Sequence, residues 1–170
     1  SLPNRKYDQP TKEQLAQHFI YGSPPYIPPA YHTSEKTDVL CVCEGEKKAA
    51  AVQKHLGYSA IGIGGCWNWR SGRDDGGVHP WILDIVSRHS RVEIVPDGDY
   101  RRHDISKAYG TFCAELQAQF ENLEIAVVDL GPEEKVDDCI ARLGPEAQDW
   151  WEGLSRDSTD GLVEDPASLA

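Results

Sequence analysis

The sequence predicts an α/β domain: about four parallel strands covered by helices, with a proline- and tyrosine-rich arm in front. Three observations predict it. Short apolar runs of strand length recur at 39–43, 58–63, 92–95 and 123–128. Helical apolar spacings separate them. Glycine, proline or an acid closes each run, and strands that alternate with helices imply crossover connections and a parallel sheet covered on both faces.

The first 37 residues hold six of the eleven prolines. Proline fixes φ and favours extended backbone, so residues 1–37 read as an arm along the domain, anchored by Tyr21, Tyr26 and Tyr31. A short helix at Lys12–Phe19, with Thr11 as its cap, opens it. The domain proper spans 38–154. Val39–Cys43 is uniformly apolar, the mark of a buried parallel strand, and it puts Cys41 and Cys43 on one face as packing residues. Glu44-Gly45 ends it. Glu46–Leu56 carries one apolar face (Ala49, Ala50, Val52, Gln53, Leu56) and stops at Gly57. Tyr58–Ile63 is the second strand, closed by Gly64-Gly65, and Trp67–Gly77 is a loop. Pro80–Ser87 reads as a short helix with proline in its first turn. Val92–Val95 is the third strand and runs into Pro96-Asp97-Gly98-Asp99. Ile105–Phe120 is the longest helical pattern, with Ala108, Phe112, Leu116 and Phe120 four apart. Leu123–Val128 is the fourth strand, ending at Asp129. Val136–Leu143 and Pro145–Leu154 close the domain, and 155–170 reads as an acidic tail or linker.

The 170 residues carry a formal charge of −11, which argues against a surface coated with nucleic acid. The charge is uneven, however. Residues 39–109 hold ten basic and nine acidic groups and net +1, so the flanks carry −12. That mixture suits a phosphate-plus-metal site, and an ordinary solvated surface explains it equally well. No apolar run approaches the roughly 20 residues that span a bilayer. No leader peptide is read in the sequence. Five cysteines, without CxxC or matched histidine spacing, fit a reducing cytoplasm rather than a disulfide framework or a zinc site. The chain starts at Ser1 and lacks methionine, which reads as a piece of a longer chain.

Ligands of open α/β sheets bind outside the carboxyl ends of the strands. Glu44, Asp97 and Asp99 fall there, more than 50 residues apart along the chain between the first and the pair. Close carboxylates repel and commonly share protons or bind a cation. Hard oxygen ligands suit Mg²⁺ or Mn²⁺. In an extended segment Asp97 and Asp99 face the same side, and Gly98 between them leaves the approach open. An acid before a helix start is also a common cap, and that reading stands beside the first for Glu44. Gly45 lets backbone N–H groups approach a phosphate. Lys47 and Lys48 follow within the first turn, where cations oppose the helix dipole, a pattern that fits an anion and also fits side chains pointing into water.

Glu44-Gly45-Glu46-Lys47-Lys48-Ala49 together with Asp97-Gly98-Asp99 resembles a TOPRIM domain over roughly 38–145. The run Ala60–Arg70 (AIGIGGCWNWR), the Lys135-Val136-Asp137-Asp138 segment and the proline-rich lead-in are similar to the TOPRIM-like domain of phage and plasmid replication primases. Lys48 and the Tyr100–His103 stretch depart from that pattern, since many TOPRIM domains carry acids near those places. The resemblance implies metal-dependent nucleotidyl transfer, above all primer synthesis from nucleoside triphosphates on a single-stranded DNA template. Glu44 would serve as acid/base and metal-side residue, and Asp97 and Asp99 would hold Mg²⁺ or Mn²⁺. Gly45, Lys47, Lys48, Arg101 and Arg102 would contact phosphate, and Trp67, with Trp69 and Arg70, would stack on a base unless these rings simply pack the core or the loop. It implies a helicase or another replication domain as partner, and a place in the bacterial cytoplasm at the nucleoid. A metal-dependent nuclease and a non-catalytic nucleotide- or nucleic-acid-binding module are the alternatives.

Overall fold

The computed structural model describes Glu13, residues 22–72 and residues 77–162. The expected helix at 12–19 and the Tyr21 anchor lie outside these residues, apart from Glu13, as does 163–170. The strands are β1 (Val39–Cys43), β2 (Ser59–Gly62), β3 (Arg91–Val95), β4 (Glu124–Asp129) and β5 (Ser155–Ser158). The helices are α1 (Pro29–Thr33), α2 (Glu46–Ala51, continued by a π-turn over Val52–Leu56), α3 (Pro80–Val86), α4 (His103–Gln119), α5 (Val136–Leu143) and α6 (Ala147–Glu152). None is long and apolar enough to cross a membrane.

The sheet order is β2-β1-β3-β4-β5, with β1 to β4 parallel and β5 antiparallel to β4. Strand alternation divides the core. Leu40, Val42, Val92, Ile94 and Val127 pack with Ile82 and Ile85 of α3 and Tyr109, Phe112 and Leu116 of α4. Cys41, Cys43, Val95 and Val128 pack on the other face with Ala49, Val52, Val136, Ile140 and Trp151 from α2, α5 and α6. The cysteines therefore act as the packing residues the strand pattern predicts. Each large apolar side chain so buried contributes about 1.5–3 kcal/mol.

Two differences from expectation have local causes. The sheet has a fifth strand where a tail was expected: Ser155–Ser158 pairs with 126–129. Arg156 fastens it. Its guanidinium donates to the carbonyls of Trp151 and Leu154, both at 2.7 Å, lies over the Trp151 ring and reaches buried Glu93 at 3.5 Å. The arm, expected to be extended, contains α1, which starts at Pro29. Tyr26, as expected, anchors the arm: its backbone exchanges hydrogen bonds with Gly62 at 2.7 and 2.8 Å, covering the outer edge of β2.

Tyr31 is the second anchor, 1% exposed. His89 Nδ1 lies 2.7 Å from the Thr37 carbonyl, so it carries the proton, and Nε2 accepts from the Tyr31 hydroxyl at 3.1 Å. Burial pushes the His89 pKa below its ordinary 6.5. A folded pKa below the unfolded one means stability is full above the unfolded value and falls as pH drops toward the folded value. Burial lowers His79 in the same direction. The midpoint of urea unfolding is expected to fall between about pH 7.5 and 5.5, with a flatter slope in His89→Gln. An unchanged slope in the variant would remove His89 from this role.

Candidate functional site

The chain leaves β1 through α2 to β2 on one side, then returns through α3 to β3 on the other. The carboxyl ends of β1 and β3 thus form the switch point where open α/β sheets bind ligands. Cys43 pairs with Val95 across these two ends, so Glu44 and Pro96-Asp97 emerge side by side. That register converts a sequence separation of more than 50 residues into adjacency.

Glu44 is half-buried, and its Oε2 accepts a 2.6 Å hydrogen bond from the Tyr109 hydroxyl. Burial raises the Glu44 carboxyl above its ordinary range. The Tyr109 bond opposes this, the Asp97 and Asp99 charges add to it, and Lys48 offsets part of it. Tyr109 is 1% exposed. Burial and the Glu44 charge drive its phenol far above the usual range, so it remains a donor.

Asp97 is held by Lys48, whose ammonium sits 2.5 Å from Oδ1 and 2.8 Å from Oδ2. Asp99 is more open, with Arg102 at 3.9 Å. The structure therefore brings Glu44 and Asp97 together at the inner edge and leaves Asp99 at the rim. Among the described residues, no three His, Cys, Asp or Glu side chains are grouped so as to hold a metal ion between them. The donor chemistry still fits Mg²⁺, which needs only one or two carboxylates beside water and phosphate oxygens. Asp97 Oδ1 is buried and makes no hydrogen bond of good geometry. Asp137, from the Lys135-Val136-Asp137-Asp138 segment, also has a buried Oδ1 without a hydrogen-bond partner. Its charge and that of Asp97 both act on the Cys43 thiol beneath the site.

Gly98 does not leave an open approach, as its position between two acids suggests. The 131–134 loop lies directly on it, and its N–H donates to the Glu134 carbonyl at 2.8 Å. Gly45 does face open space, at the N-cap of α2. Gly62 allows the Gly45 backbone to approach: a Cβ there would lie 2.8 Å from the Gly45 carbonyl oxygen.

The basic residues divide. Lys47 is exposed on the first turn of α2, whereas Lys48 is only 14% exposed in its ion pair. Arg101 bridges Asp129 at 2.8 Å and Asp157 at 3.4 Å. The Gly131 N–H, followed by Arg101, holds the Asp129 carboxyl below its ordinary range. Arg102 lies between Asp99 and Asp104. A cleft of about 560 Å³ opens beside Arg101, floored by Leu130, Pro132 and Leu154. Trp69 belongs to the core, stacked on Phe112 with centroids 5.2 Å apart. Trp67 is partly buried, and the Arg70 guanidinium lies over its ring at 4.0 Å. Burial raises the thiol of Cys66 next to it, and the Glu44 charge adds to this.

All of these residues except Leu154 and Asp157 lie within 32–147, the span matched by the family described as Domain of unknown function (DUF3854). The chain belongs to that family. No curated protein and no solved structure matches the chain. The DUF3854 match runs from α1 to the start of α6 and so takes in β1 to β4 and both acidic strand ends, while β5 lies beyond it. Tyr109 is the site residue that sequence reasoning missed in this DUF3854 domain. It belongs to an Ile105-Tyr109-Phe112-Leu116 series, and a hydroxyl on that apolar face near the helix start was the available signal.

Proposed function

We propose that this domain is a TOPRIM-type nucleotidyl-transfer module that makes primers on single-stranded DNA, within a phage, plasmid or other mobile-element replication protein. The observation that carries this reading is the pairing of Glu44-Gly45, at the end of β1, with Asp97-Gly98-Asp99, at the end of β3, across the switch point. Glu44, half-buried and beside two acids, accepts the proton of an attacking ribose hydroxyl. Asp97 and Asp99 are the residues that would hold Mg²⁺ or Mn²⁺, which supplies charge stabilisation at the phosphoryl oxygens when bound. Lys47 and Arg102 face the polyphosphate from the rim, and the cleft beside Arg101 accommodates the rest of the nucleotide. A helicase or another replication domain supplies template grip that a chain of charge −11 lacks. The reading places the protein in the bacterial cytoplasm, at the nucleoid.

The test is primer synthesis on single-stranded DNA with Mn²⁺, comparing the wild type with Asp97→Asn and Asp99→Asn. Each variant is expected to lose about 10²-fold or more. Undiminished synthesis in both variants counts against the mechanism, as does absence of primers from the wild type. The Lys48–Asp97 pair favours a second reading, a nucleotide-binding module without metal chemistry. Nucleotide binding without synthesis selects it, whereas nicking of supercoiled DNA in parallel reactions selects a nuclease.

A further inference from the structure

The inner carboxylate of the site already has a cation. We propose that Lys48 is a resident counter-cation that excludes divalent metal from Asp97, so that ammonium and metal occupy this carboxylate alternately. The inference rests on the metal-dependent reading above and specifies how that site is gated.

The geometry carries it. Lys48 Nζ straddles the carboxylate, 2.5 Å from one oxygen and 2.8 Å from the other, and the two side chains are only 14% and 20% exposed. A Mg²⁺ ion needs oxygens at about 2.0–2.1 Å in near-octahedral array. An ammonium across both oxygens fills the positions from which such an ion would bind. Partial burial weakens solvent screening of the repulsion between two cations on one carboxylate. The other two acids are held differently: Glu44 accepts from neutral Tyr109, and exposed Asp99 has Arg102 no nearer than 3.9 Å. Lys48 also acts on Glu44 and on the Cys43 thiol, so its charge reaches the whole inner edge. The side chain can leave: a flexible four-carbon stem from the first turn of α2 lets the ammonium swing while the backbone stays put.

The experiment measures Mn²⁺ binding by the resonance signal of free Mn²⁺, with thermal melts in parallel. Lys48→Met keeps the stem and removes the charge, and Lys48→Arg keeps a cation. Lys48→Met is expected to bind Mn²⁺ about tenfold or more tightly than the wild type, and Lys48→Arg to behave as the wild type does. Without metal, Lys48→Met melts lower because Asp97 is left uncompensated, and Mn²⁺ raises its melting temperature more than that of the wild type. Should Lys48→Met fail to fold, Lys48→Gln takes its place, since its amide still donates to Asp97. Adding Asp97→Asn to the charge-removing variant should abolish the gain. Equal affinities in the wild type and the charge-removing variant, with Asp97 still required, overturn the gate and leave the metal site standing. No Mn²⁺ binding by any variant overturns the gate and the metal reading together.

Discussion

Glu44→Gln is expected to lower metal-dependent primer synthesis by about 10²–10⁴-fold while the protein stays folded. The amide oxygen of glutamine can accept the Tyr109 hydrogen bond that Glu44 accepts at 2.6 Å, so α4 keeps its contact with the end of β1. What disappears is a charge and a proton acceptor. Burial and the neighbouring Asp97 and Asp99 hold the Glu44 carboxyl above its ordinary range, so the fold disfavours the ionised form. A raised carboxyl pKa means that ionisation costs stability as pH rises through the interval between the unfolded and folded values. Glutamine removes that cost, and the variant should melt at or slightly above the wild-type temperature near neutral pH. Lost activity with retained stability separates a chemical role from a structural one. Activity within about fivefold of the wild type, against the factor of 10² or more that a positioned base supplies, would show that Glu44 moves no proton. Tyr109→Phe tests the same contact from the other side. It leaves a half-buried carboxylate without its donor and should cost activity by a smaller factor, since the base remains but is no longer held in place.

How much of this was legible in the sequence follows from what each element is made of. The four parallel strands are apolar because both faces are covered, and that pattern marked all of them to within two residues at either end. β5 escaped because its residues, Ser-Arg-Asp-Ser, are polar. It lies at the sheet edge, and its place is fixed by the Arg156 hydrogen bonds and the pairing to β4, which no local periodicity encodes. The short α1 escaped because prolines at 28 and 29 suit both an extended arm and a first helical turn. At the site, the convergence of Glu44 and Asp97 was readable, since parallel strands bring their carboxyl ends together. The partners of those acids were not. The Lys48–Asp97 pair joins α2 to the end of β3, and the Tyr109–Glu44 pair joins α4 to the end of β1, across separations of 49 and 65 residues. Such contacts depend on how the helices pack on the two faces.

Gly98→Ala is expected to destabilise the domain by about 3 kcal/mol or more, the upper range for overpacking. The reason is space rather than backbone conformation. A Cβ at this position would stand 2.2 Å from the Gly131 carbonyl oxygen, 2.5 Å from the Glu133 nitrogen and 2.6 Å from the Glu134 nitrogen. All three are backbone atoms, so no side chain can swing aside. The loop is also constrained. The Gly131 N–H donates to Asp129 Oδ1 at 3.0 Å, Gly131 and Glu133 both have positive φ, and the Glu134 carbonyl accepts from the Gly98 N–H. Relief therefore requires the loop to lift off or the Asp97–Asp99 turn to shift, and either movement breaks the Gly98–Glu134 hydrogen bond. For a domain of this size the melting temperature should fall by about 6–12 °C. Metal binding should weaken with it, because Asp97 and Asp99 flank the displaced residue. Gly45→Ala is the matched control: open space surrounds that position, its extended backbone suits alanine, and its melting temperature should stay within about 2 °C of the wild type. Equal melting temperatures for the two variants would show that the 131–134 loop yields freely, and that Gly98 is not what holds the two aspartates in register with Glu44.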